Sequence, residues 1–184
     1  MEYYHNFFVV TGGPGSGKTT LLQALQAKGY KTMPEAGRAI IKQQTAVNGN
    51  ALPQKNPTLF AKAMMEWDLK NYQNAKTYQE NVFFDRGLPD IIGYLTLNAL
   101  PIPNIMQNAA REYRYNTHVF LAPFWAEIYQ TDNERHQSLI EAKQTANMME
   151  DIYQSLGYLI IKLPKASVKE RIAFIKNNIM TIKQ

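Results

Sequence analysis

Residues Gly12-Gly13-Pro14-Gly15-Ser16-Gly17-Lys18-Thr19-Thr20 satisfy the pattern G-x-x-x-x-G-K followed by Ser or Thr. The chemistry of that spacing is phosphate binding. Its glycines lack a Cβ, so the backbone can curl with successive N–H groups facing an anion. Lys18 has the reach to contact the β- and γ-phosphates of a nucleoside triphosphate, and the Thr19 hydroxyl can ligate Mg²⁺. A helix opening near Gly17 adds the positive end of its dipole. A glycine-rich turn with no ligand is the bland alternative, and the flanking sequence argues against it. Phe7-Phe8-Val9-Val10 reads as a strand and Thr20–Leu25 as the start of an amphipathic helix, which is the strand–loop–helix setting the motif requires.

In a parallel sheet the ligand sits beyond the carboxyl ends of the strands, so the residues that follow each apolar run carry the remaining information. Pro34-Glu35-Ala36-Gly37-Arg38 follows the second run, and Val82-Phe83-Phe84 leads into Asp85-Arg86-Gly87. An apolar strand ending in Asp has the form of a Walker B element, which makes Asp85 a second candidate for Mg²⁺ beside Thr19. Glu35, Arg38 and Arg86 are candidates to meet a substrate. For Glu35 and Arg38 a simple intrahelical ion pair is the alternative. After the fourth run, between Phe124 and Lys143, Arg135 is the one arginine placed to neutralise a transferred phosphoryl group, or else a surface residue.

These groups need a scaffold. Strands are expected near Phe7–Thr11, Tyr30–Met33, Asn81–Phe84, His118–Ala122 and Tyr158–Leu163. Helices are expected near Lys18–Lys28, Glu35–Val47, Thr58–Tyr78, Pro89–Asn98, Ile105–Tyr113, Asp132–Leu156 and Val168–Met180. This alternation is that of an α/β sheet with crossover helices. Gly29 and Gly157 stand where left-handed caps end helices, whereas Ser167 with Glu170, Thr131 with Glu134, and Asn56-Pro57 mark helix starts. The stripe Leu59, Phe60, Ala63, Met64 and Trp67 reads as core, and Lys169, Lys176 and Lys183 read as a solvated face. His5, His118 and His136 lack metal-ligand spacing.

The phosphate loop, the strand-two Pro-Glu with its Arg, and the strand-three Asp-Arg resemble the nucleoside and nucleotide kinase branch of P-loop proteins. The whole chain resembles more closely a family of predicted AAA-type ATPases, akin to the ribosylnicotinamide-kinase domain of the bifunctional NAD-synthesis regulator. The segments Phe84-Asp85-Arg86-Gly87-Leu88-Pro89-Asp90 and Thr131-Asp132-Asn133-Glu134-Arg135 carry that likeness with Pro34–Arg38. The resemblance implies a P-loop NTPase three-layer sandwich, with a five-stranded parallel sheet in order 2-3-1-4-5 and helices on both faces. It also implies ATP as the nucleotide, Glu35 as base on an acceptor hydroxyl, and an acid–Arg pair (Asp85, Arg86) on substrate and phosphates.

Composition narrows the rest. With 184 residues, 45% hydrophobic and 19% charged, the chain is expected to form one domain over residues 1–184. The absence of cysteine excludes disulfides, thiolate metal sites and thiol catalysis. The first apolar run is too short for a signal sequence or membrane span, so a cytoplasmic location is expected. A net charge of +5 suits anionic ligands without arguing for nucleic acid. Asp85 is followed by Arg86 and not by a water-activating Glu, and no Asn-Lys-x-Asp guanine reader occurs. Motor and switch readings therefore lose ground. The expectation is a Mg-ATP-dependent phosphotransferase acting on an unidentified small-molecule hydroxyl or phosphate through Lys18, Glu35, Asp85 and Arg135. A nucleotide-dependent binding protein with an acidic partner (an anionic lipid or nucleic acid), or a slow simple NTPase, is the competing expectation.

Overall fold

Phe7, Phe8, Val9 and Val10 are apolar on both faces of an extended chain, so they demand cover on both sides. The computed structural model, which describes residues 1–128 and 138–182, meets that demand. In chain order its elements are β1 (Glu2–Tyr3), β2 (Phe7–Gly12), α1 (Lys18–Ala27), β3 (Lys31–Met33), α2 (Ala36–Ala46), α3 (Pro57–Ala75) and β4 (Val82–Asp85). There follow α4 (Leu88–Leu97), α5 (Asn104–Glu112), β5 (Tyr113–Arg114), β6 (His118–Ala122), a 3₁₀ turn at Ala126–Ile128, α6 (Leu139–Ser155), β7 (Leu159–Lys162) and α7 (Val168–Ile182).

The main sheet runs β3-β4-β2-β6-β7, and every neighbouring pair is parallel. Counting these five strands alone, the order is the expected 2-3-1-4-5. All of β2 is buried, and its side chains alternate between two cores. Phe8 and Val10 join Leu21, Leu25, Phe83, Phe120 and Ile175 under α1 and α7. Phe7 and Val9 join Tyr72, Phe84, Tyr115 and Tyr153 on the opposite face, under α3 and α6. Each such side chain contributes roughly 1.5–3 kcal/mol by burial, which is why the central strand is pinned in register. A third cluster, built from Ile40, Phe60, Met65, Ile91, Leu95 and Met106, ties α2 to α5.

Helix ends follow the signals in the chain. Gly29 (φ 89°) and Gly157 (φ 80°) take left-handed caps, and the Asn56 side chain accepts from the Leu59 amide at 2.9 Å. Ser167 and Glu170 cap each other: the Ser167 amide donates to Glu170 Oε2 at 2.9 Å, and the Glu170 amide donates to Ser167 Oγ at 3.3 Å. Helix α6 opens on a different box, Ser138 with Glu141, because those residues hold the same capping pattern seven positions later in the chain. The Thr131–Glu134 start, Arg135 and His136 lie outside the described residues. On α3, Phe60 and Met64 are buried and Trp67 packs beside them, but Leu59 points outward. The two-residue strands β1 and β5 pair in parallel as a separate small sheet. They are too short to leave any periodicity in the sequence. Among the described residues no helix is long and apolar enough to cross a membrane.

Candidate functional site

Strand β2 delivers the chain into the glycine-rich loop, and α1 takes it away. Gly12 has φ 134°, and a Cβ there would collide with the Ala122 carbonyl of β6, so this position needs glycine on two counts. Gly17 caps α1 with φ 79°. Inside the loop the buried Lys18 ammonium donates to the carbonyls of Gly12 at 2.9 Å and Gly13 at 2.7 Å, and to Ser16 Oγ at 3.3 Å. Ser16 Oγ in turn donates to Gly13 O at 2.8 Å. Burial, with the Arg86 charge adding to it, pulls the Lys18 pKa down from 10.5 to about 7, against the opposing pull of Asp85, Glu35 and Asp90. Three of the groups expected from the ends of the second and third strands, Glu35, Asp85 and Arg86, therefore share one electrostatic neighbourhood with the loop lysine, and Asp90 joins them.

Arg86 organises the carboxylates. It is a non-glycine residue at φ 71°, and its backbone N–H donates a hydrogen bond to Val10 O at 3.1 Å. From this position Nε donates to Glu35 Oε1 at 3.1 Å and Nη1 to Asp90 Oδ1 at 2.9 Å. Burial alone would lower the Arg86 pKa, but Glu35, Asp90 and Asp85 hold it above its ordinary value. Glu35, at the N-terminal boundary of α2, also meets Arg38 Nε at 3.5 Å. Burial pushes the Glu35 carboxyl up, yet the Arg86, Lys18 and Arg38 charges together hold it below its ordinary value. The intrahelical Glu35–Arg38 pair and the cross-strand Glu35–Arg86 pair thus coexist.

Asp90 is the residue whose role sequence reasoning missed. Its Oδ1 accepts from Thr11 Oγ1 at 2.5 Å as well as from Arg86, while Oδ2 accepts from the Gly87 amide at 3.0 Å and Tyr153 Oη at 2.7 Å. One buried carboxylate so joins β2, the turn after β4, α4 and α6. The available signal was its place three residues after Gly87, where an acid caps the first turn of a helix.

Asp85 closes β4 with a different environment. Among the described residues its buried Oδ1 has no hydrogen-bond partner, and burial, then the Glu35 charge, push its pKa up to about 6 against the pull of Lys18 and Arg86. An oxygen with no partner among the described residues, at the end of the strand beside the glycine-rich loop, is chemically suited to a divalent cation, and Thr19 in the first turn of α1 offers a hydroxyl that could join it. Mg²⁺ takes few protein ligands and completes its shell with water and phosphate, and among the described residues no cluster of three acidic or histidine groups offers anything tighter. Asp68, buried on α3, also went unnoticed in the sequence. Burial, followed by the Asp90 and Glu35 charges, raises its pKa well above the ordinary value, which ties it to the same cluster.

On the other flank, Arg171 of α7 donates from Nε to Pro164 O at 2.9 Å and from Nη1 to Ser16 O at 2.8 Å. Its guanidinium lies over the Trp125 ring, 5.0 Å from the centroid. This brings the loop at Pro164–Ser167 against the glycine-rich loop. Arg114 sits elsewhere: in β5, at the amino-terminal end of the sheet, it stacks on Tyr158 at 3.8 Å. His118 likewise opens β6 at that end.

A glycine-rich loop between β2 and α1, on a parallel sheet of this order, defines a P-loop α/β protein. The chain belongs to the AAA domain family AAA_28, whose model matches residues 7–171. Among solved structures, the fold is similar to deoxyadenosine kinase from M. mycoides with the products dCMP and a flexible dCDP bound: TM-score 0.68, 15% identity, 95% of this chain and 99% of that one covered. The same enzyme with bound dATP gives TM-score 0.61 at 16% identity, covering 94% and 97%. With bound dCTP it gives 0.55 at 15%, covering 95% and 99%. At these identities the likeness is one of fold. No curated protein matches the sequence.

Proposed function

We propose that the chain, as one domain over residues 1–184, binds Mg-ATP and transfers its γ-phosphoryl group to a small-molecule hydroxyl or phosphate. The carrying observation is the convergence of Glu35, Asp85 and Arg86 on Lys18, close enough for each charge to move the lysine pKa. Gly12 to Thr20 cradle the triphosphate, with Lys18 leaving its own loop carbonyls for the β- and γ-oxygens. Thr19 and Asp85 hold Mg²⁺, which when bound neutralises charge on the phosphates. The nucleotide-bound deoxyadenosine kinases of like fold support a nucleoside triphosphate as the ligand.

The acceptor enters between the ends of β3 and β4 and the start of α3. Glu35, held ionised by Arg86 and Arg38, is suited to accept a hydrogen bond from the acceptor hydroxyl and aim it at the phosphoryl group, more than to take its proton early. Arg86 and Arg38 offer donors to acceptor or phosphate oxygens, and Arg135 adds a positive charge to the transferred group. Asp68 is buried within reach of the same charges.

Replacing Lys18 with Ala abolishes ATP binding and turnover and leaves the fold intact, checked by calorimetry and circular dichroism; undiminished ATP affinity would falsify the assignment of the loop. Glu35→Gln keeps nucleotide affinity and lowers acceptor-dependent turnover by on the order of 10²-fold or more. The reaction itself is tested by measuring ADP release across a panel of nucleosides, nucleotides and vitamins. Stimulation by one acceptor class is expected. Slow release that is identical with every acceptor and with none replaces the transferase by a simple NTPase.

A further inference from the structure

Arg171 is the largest of the fully buried side chains and is 2% exposed. Nothing in the motif requires it, for it lies far along the chain, on α7. Its three contacts nevertheless converge on one place: Ser16 O, Pro164 O and the Trp125 face. Among the described residues no carboxylate pairs with it, and its Nη2 is buried without a partner. Burial lowers its pKa, yet a guanidinium stays charged in proteins. Two carbonyls could be tied together by a neutral amide side chain. A full charge is costly to bury unpaired, and it gains its use when an anion arrives nearby.

The direction of the Ser16 carbonyl supplies the rest. In a planar trans peptide the C=O of one residue and the N–H of the next point to opposite sides. Arg171 holds the Ser16 carbonyl on its own side of the loop, so the Gly17 N–H points to the side away from Arg171. A charged donor on the carbonyl also polarises that peptide and strengthens its N–H as a donor. Glycine at 17 makes room for this: a Cβ there would lie 3.2 Å from Arg171 Nη1 and 3.3 Å from Ile128 Cδ1.

We propose that Arg171 is a positioning residue of the nucleotide site, one that aims the Gly17 amide at the phosphates by gripping the loop from behind and lends its unpaired charge to anion binding. This rests on the reading of the loop as a nucleotide site. It adds a group from the end of the domain that acts on the phosphates through a peptide bond.

The test measures affinity for Mg-ATP and for inorganic tripolyphosphate in the unaltered chain, Arg171→Met and Arg171→Lys, all well below their melting temperatures. The Gly17 amide proton is followed by NMR in parallel. Both ligands weaken together in Arg171→Met, by about tenfold or more, and the downfield shift of the Gly17 proton on adding tripolyphosphate shrinks. Arg171→Lys keeps the charge but cannot reach both carbonyls with a planar fork, so it recovers only part of the affinity. It also carries the test if the methionine variant does not fold. Unchanged tripolyphosphate affinity overturns the proposal: with ATP affinity alone lost, Arg171 acts on the nucleoside part of the ligand and not on the phosphates; with melting temperature alone lowered, its role is structural. An unaltered chain that binds neither ligand removes the nucleotide site itself and this inference with it.

Discussion

At the scale of single residues, Lys18 and Asp85 are each held away from their ordinary protonation behaviour, in opposite senses. Asp85 moves from 3.8 up to about 6, so between those values the folded chain carries the extra proton and stability falls as pH rises. Lys18 moves from 10.5 down to about 7, so between those values the unfolded chain carries the extra proton and stability climbs again. The nucleotide-free protein is therefore expected to show a dip in thermal stability between about pH 6 and 7. A melting series across pH, compared with a Lys18→Met/Asp85→Asn double variant in which the dip is flattened, checks this. An equally deep dip in the double variant assigns it to other groups. Such tension suits a site whose strain is released by ligand, because a polyphosphate restores the charge on Lys18 and a cation that on Asp85.

At the scale of elements, the junction that matters is Asp90. Four donors from Thr11, Arg86, Gly87 and Tyr153 converge on one buried carboxylate, and the position of Arg86 over Glu35 depends on them. Tyr153→Phe removes the donor from α6 and is expected to cost about 1–3 kcal/mol in urea unfolding, with a smaller loss of nucleotide affinity. Loss of affinity without loss of stability contradicts the bracing role. Much of this level was legible in advance. The phosphate loop is read from glycine spacing, β2 and β4 from short apolar runs, and the C-terminal ends of α1 and α6 and the starts of α3 and α7 from their cap residues, because each is a local signal. Asp90, Asp68 and Arg171 were not, since their meaning comes from partners 63 to 155 residues away or from burial. Strands β1 and β5 escaped for another reason: two residues cannot display a period of two.

At the scale of the whole molecule, the glycine-rich loop is fastened to both halves of the sheet. Gly12 pairs with Ala122 of β6, Arg171 ties Ser16 to the chain beyond β7, and Arg86 links Val10, just before the loop, to Glu35 at the start of α2. A ligand that fills the loop therefore stabilises the entire fold. At a hundredfold excess over its dissociation constant, Mg-ATP is expected to add about 2.7 kcal/mol, a melting shift of roughly 5–10 °C for a chain of this size. Differential scanning fluorimetry measures it, and the Lys18→Ala chain should not respond. A shift that persists in that variant points to a nucleotide bound somewhere else.

The chain contains two tryptophans, and the fold separates them. Trp125 lies against the Arg171 guanidinium beside the glycine-rich loop, whereas Trp67 packs into the α2–α5 cluster on the far flank. Nature has thereby left one optical reporter on each side of the cleft. With Trp67→Phe, the remaining indole emission is expected to follow a nucleotide entering the proposed site; with Trp125→Phe, it is expected to follow the proposed acceptor, so stopped-flow would read the order of binding without any added dye.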